Sequence, residues 1–151
     1  MKGALAPPAG NHLLAWLGMP FLAIANGTLR ELTYGRRMGE DASHSLSTLP
    51  LLVLIGVYTA LVARRWPLQT RAQALAVGAG GFLFATVFEF GFGRLEGRSW
   101  GELVRDYNIL AGRLWIVIPL ALLVAPGLHR RRQQRAAQKA TENMPGAWLA
   151  E

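Results

Sequence analysis

Residues 99–115 read SWGELVRDYNILAGRLW, and here charged and polar residues lead straight into an apolar run. Ser99 followed three residues later by Glu102 fits a capping box, in which each side chain accepts from the other's backbone N–H, so a helix is expected to begin near Trp100. Glu102, Asp106, Arg113 and Val117 then fall near one stripe at helical spacing. The apolar run that follows is too short to cross a hydrocarbon core of about 30 Å, which takes roughly 20 helical residues. A span built on it must borrow from about Asn108 onward, which draws Arg113 one to two turns into the bilayer. Ionisable groups at that depth are costly and have partners, so the rest of the chain is expected to supply them.

The rest of the chain fits a membrane setting. Of its 151 residues 52% are apolar and only 17% charged, and the apolar ones cluster in four runs, residues 13–25, 46–63, 72–92 and 114–128. Each approaches spanning length once its helical flanks are added. The expected fold is all-α: an integral membrane four-helix bundle with a polar interfacial helix leading into the fourth span. Residues 1–128 form the transmembrane domain and residues 129–151 a basic cytoplasmic tail that attracts anionic lipid. Without cysteine there are no disulfides, thiolate metal sites or cysteine nucleophiles. The net charge of +7 would suggest nucleic acid in a soluble protein. Here the bases border the spans, where orientation and lipid headgroups account for them, and no nucleic-acid partner is expected. Fourteen of the sixteen bases are arginine, which with much Ala, Leu and Gly points to a GC-rich bacterial coding bias.

In chain order, residues 1–10 form a short flexible lead and Asn11 can cap a first helix from His12 to about Tyr34. Ala23, Ile24 and Ala25 resemble a signal-peptidase site, so cleavage after Ala25 is an alternative to a retained first span. Against cleavage stand a single Lys ahead of the run, Pro20 within it, and helical spacing that continues through Asn26, Arg30, Thr33 and Arg37. Ser45 or Ser47 can cap the second helix, which places Pro50 in about its first turn. The third helix begins near Arg71 and carries Gly78, Gly80 and Gly81, which admit a close neighbour. Pro119 is placed to kink the fourth helix, and Pro126 with Gly127 to stop it.

With four spans, one side holds nine bases against two acids and the other seven bases against seven acids. The first side, with both termini, is assigned to the cytoplasm of a bacterial inner membrane. His12 to Arg30 and Arg71 to Glu89 are 18 residues each and Arg113 to Arg130 is 17, so at about 1.5 Å per residue Arg30, Glu89 and Arg113 reach one level near the outer boundary. Asn26 and Thr86 lie a turn deeper, while His44, Asp106, Tyr107 and Asn108 lie at or just outside that level.

The structural expectation for this cluster is that Glu89 pairs with Arg113 or Arg30 and fixes helix register. The binding expectation is that two arginine forks near one glutamate hold an anionic lipid headgroup or a membrane partner subunit, with Asn26, Glu31, His44, Asp106, Tyr107 and Asn108 completing the site. A catalytic version uses His44 or Glu89 as general base, Asp106 to orient it, and the arginines to hold developing negative charge on a lipid or lipid-linked substrate. An oligomeric small transporter is a further alternative, and a homo-oligomer fits any of these. No metal-ligand spacing joins the His, Asp and Glu residues, and His12 and His129 at the inner ends fit interfacial roles better than haem ligation. No cofactor is expected.

Overall fold

The computed structural model describes residues 9–143. The order is α1 (Ala9–Ala15), a 3₁₀ turn (Trp16–Gly18), α2 (Met19–Leu32), α3 (Glu40–Arg65), α4 (Arg71–Leu95), α5 (Trp100–Arg105), a second 3₁₀ turn (Ile109–Ala111) and α6 (Val117–Glu142), with no strand among the described residues. The protein is all-helical, and Gly10–Leu32, Ala42–Arg65 and Arg71–Leu95 are long and apolar enough to cross a membrane. Large apolar side chains such as Leu14, Phe21, Val53, Leu75 and Val87 are exposed on these three stretches, as lipid-facing surfaces require. Residues 1–8 of the expected lead and 144–151 of the tail lie outside the described residues.

Side-chain bonds to backbone carbonyls fix the register of the packing. Asn26 donates to the Ser47 carbonyl (3.0 Å) and Tyr58 to that of Ala15 (2.6 Å), so α1 and α2 run antiparallel to α3. Thr59 meets His129 at 3.1 Å and Gln133 donates to the Ala63 carbonyl at 2.9 Å, steps of four that align α3 and α6 parallel. Between α4 and α6 the backbones themselves touch: a Cβ on Gly78 would lie 2.2 Å from the Leu123 carbonyl oxygen. Small residues at such contacts let helices approach where lipid offers no hydrophobic drive for association. The core between them contains Trp16, Met19, Leu51, Ile55, Val77, Ile118 and Leu122.

Four boundaries depart from the expectations. The first span is not one helix. Pro20 lacks the N–H that would bond the Trp16 carbonyl, Met19 N–H bonds it instead, and the chain passes through a 3₁₀ turn. On one side of that turn α1 packs on α4, where the Trp16 indole rests on Gly81 and donates to the Val77 carbonyl (3.2 Å). On the other side α2 packs on α3.

α3 begins at Glu40 behind Gly39, earlier than a cap at Ser45 or Ser47 would allow. Ser47 and Thr48 bond back to the His44 carbonyl (2.8 and 3.2 Å), as hydroxyl residues do inside a helix, and Pro50 lies well within it. The helix at Trp100 begins with the expected capping box but ends at Arg105. It does not run on into the apolar stretch, because Asn108 caps the 3₁₀ turn and Gly112 takes φ +76°, a left-handed geometry that favours glycine.

α6 therefore starts only at Val117, with Pro119 in its first turn, where a missing N–H leaves no bond unmade. Pro126 and Gly127 do not end it. The helix continues unbroken past residue 128 to Glu142, held at that level by α3 and α4. Its apolar segment, residues 117–128, measures about 18 Å, well short of the core thickness.

Candidate functional site

Since α1 follows α4 while α2 follows α3, the molecule opens between α2 and α4 at the end that holds α5. The opening is a cavity of about 530 Å³. Its deeper walls are apolar: Met19, Pro20, Ala23 and Ile24 from α2, and Phe84 and Phe88 from α4, over a floor of Leu51, Ile55, Ile118 and Leu122. Phe84, Phe88 and Phe92 stack in a row along α4, with centroids 6.4 and 5.5 Å apart. Toward α5 the lining turns charged.

Asp106 is the centre of that charged end. It is buried, 3% exposed, and accepts from Arg113 Nη1 at 2.6 Å through one oxygen and from Arg98 through the other. The short α5 carries it there: Leu103, wholly buried, sits against Gly93 of α4, while the Ser99–Glu102 capping box starts the helix. The hydrogen bonds that Glu102 receives from the Ser99 N–H and hydroxyl hold its carboxyl below the usual range.

Glu89 has a different partner from the expected one. Tyr107, stacked on Phe90 (5.6 Å), donates its hydroxyl to Glu89 Oε2 at 2.5 Å. The Trp115 indole N–H is turned toward the same carboxylate but lies outside hydrogen-bond geometry. Burial, and then the neighbouring Glu89, push the Tyr107 phenol up from its ordinary value of 10. The expected Glu89–Arg113 or Glu89–Arg30 pair is thus replaced. Arg113 reaches Asp106, and Arg30 holds Glu31 (2.8 Å) and His44 Nδ1 (3.0 Å).

His44 is fixed from two sides, with its ring tilted against Trp115 at 5.0 Å. A guanidinium only donates, so His44 Nδ1 accepts from Arg30 and the ring proton sits on Nε2. Nε2 is buried and has no hydrogen-bond partner among the described residues. Asp106 makes no hydrogen bond to His44, so it orients the two arginines and not a histidine base.

Of the residues expected at the site, Asn26, Arg30, Glu31, His44, Glu89, Asp106 and Arg113 line the one cavity. Tyr107 joins it through Glu89. Asn108 is instead occupied with the Ala111 N–H as a cap. Sequence reasoning missed Arg98, which looks like an ordinary loop base, and Trp115, read only as part of an apolar run. Their signal was proximity in sequence to Asp106 and Arg113. Comparison with known protein families, with curated proteins and with solved structures gave no match.

Proposed function

We propose that the chain is a small polytopic membrane protein whose outer cavity binds the anionic phosphate headgroup of a lipid. In this reading it sits in a bacterial inner membrane with both termini cytoplasmic, and the apolar part of α6 completes a four-helix bundle by adding a partial fourth crossing. One observation carries the proposal: an apolar cleft between two membrane-spanning stretches ends at a charged mouth lined by Arg30, Arg98, Arg105 and Arg113 together with five carboxylates. Its volume lies in the range of small-ligand sites, roughly 300–1,000 Å³.

The test is native mass spectrometry of lipid co-purifying with wild type, Arg30→Lys and Arg113→Lys, alongside the thermal stability of each. Lysine keeps the charge but loses the planar fork, so lipid retention should fall before stability does. Full retention by both variants, or no lipid on wild type above bulk level, would overturn the proposal.

A second reading is an enzyme acting on the same lipid. It is favoured by His44, a cavity-lining residue whose Nδ1 is fixed by Arg30. Lipid accumulating in His44→Ala would support turnover, since a disabled acid or base traps substrate.

A further inference from the structure

The balance of charge at the mouth says more about the headgroup, on the premise that the cavity binds one. Four arginines line it against five carboxylates, of which Glu89 and Asp106 are taken up inside by Tyr107 and by Arg98 and Arg113. The two signs are also layered. Inside lie Arg113, mostly buried on Asp106, and Arg30, bonded to His44, while Arg98 is half-buried and Arg105 is the one exposed arginine among the four. Three carboxylates stand at the rim, with Glu31, Glu96 and Glu102 all exposed.

A headgroup carrying only negative charge would place its phosphate well but bring further negative charge against that rim. A phosphate bearing an ammonium arm adds no net charge and puts its cation among the carboxylates. We infer that the preferred ligand is a zwitterionic aminophospholipid of the phosphatidylethanolamine class: phosphate oxygens at the arginines of the mouth, ammonium among Glu31, Glu96 and Glu102, and one acyl chain along the row from Phe84 to Phe92. The chain enters sideways between α2 and α4, because those walls belong to membrane-spanning stretches and the cleft lies open between them.

The experiment uses the full chain, delipidated in detergent and titrated with phosphatidylethanolamine, phosphatidylglycerol or phosphatidylcholine of identical acyl chains, with bound lipid read by native mass spectrometry and melting temperature followed in parallel. Binding should rank phosphatidylethanolamine first. Phosphatidylcholine should rank below it, because its trimethylated ammonium cannot donate hydrogen bonds. Glu96→Gln, whose carboxylate takes part in no hydrogen bond or ion pair among the described residues, should lose roughly two- to fivefold of the preference for phosphatidylethanolamine over phosphatidylglycerol, as expected for one exposed charge pair, and keep its melting temperature. Equal or stronger binding of phosphatidylglycerol overturns the zwitterion assignment while leaving headgroup binding in place. Failure of all three lipids overturns both. Free phosphoethanolamine stabilising the protein as well as the diacyl lipid does would overturn the lipid source in favour of a soluble ligand.

Discussion

Tyr107 reaches Glu89 across 2.5 Å and so ties the connection between α4 and α6 back onto α4. Removing the hydroxyl would leave a carboxylate at the buried end of that bond without its donor. Tyr107→Phe should cost about 1–3 kcal/mol in chemical denaturation of the detergent-solubilised protein. In double-mutant cycles Glu89→Gln should couple more strongly to Tyr107→Phe than to Arg113→Gln. The opposite order would restore the ion pair expected from helical counting.

Asp106 should be the most sensitive carboxylate. Asp106→Asn leaves two guanidinium groups without the charge they share and should destabilise by about 3 kcal/mol. The two arginines should not be equal: the Arg113 side chain is 12% exposed and that of Arg98 32%, so water compensates Arg98 more fully. Arg98→Gln should therefore cost less than Arg113→Gln in the same unfolding assay. Equal costs would mean that burial does not set the strength of this triad.

Gly78→Ala drives a methyl into the Leu123 carbonyl and should cost about 1–3 kcal/mol, or block assembly of α4 with α6. Gly91, on the same helix, has open space where a Cβ would stand, with nothing within 4 Å, so Gly91→Ala should be neutral or stabilise by up to about 1 kcal/mol. Melting temperatures of the two variants, measured together, separate close packing from helix propensity.

The pH behaviour of Tyr107 has a definite sign. Its folded-state value is raised, so the neutral phenol is the form the fold favours. That contribution is complete below the ordinary value of 10 and is lost as pH rises above it. Tyr107 should ionise only above its ordinary value of 10 in an absorbance titration at alkaline pH, and Tyr107→Phe should remove that late component. A Tyr107 that ionises at or below 10 would refute this sign.

The proposed orientation, with both termini cytoplasmic, is tested by reporter fusions. Alkaline phosphatase fused after Glu151 should be inactive and the same enzyme inserted near Gly39 active. The reverse pattern would place the cavity mouth in the cytoplasm. Amino-terminal sequencing that starts at Asn26 would establish cleavage of the first span.

Apolar runs and capping pairs were legible because both are local. The three spanning stretches, the start of α4 at Arg71 and the Ser99–Glu102 box all lie where residue spacing puts them. Counting residues from the inner ends gives depth along a helix but not the direction a side chain faces. That is why Arg30, Glu89 and Arg113 line one cavity yet have different partners. Asn108 and Gly112 carried turn information that the helical stripe from Glu102 to Val117 overrode. The break at Trp16–Gly18 was signalled by Pro20, but its effect, a change of packing partner halfway along the first span, depends on helices distant in sequence.

The parallel rungs between α3 and α6 make the basic helix a handle. His129 and Gln133 hold it to Thr59 and Ala63, and beyond them Arg135 and Lys139 project on the same rod. That rod is about 39 Å long. Its other end carries Ile118 and Leu122, which form part of the cavity floor. The basic end and the cavity floor are thus the two ends of one shaft, whose ladder of backbone bonds lacks a rung at Pro126.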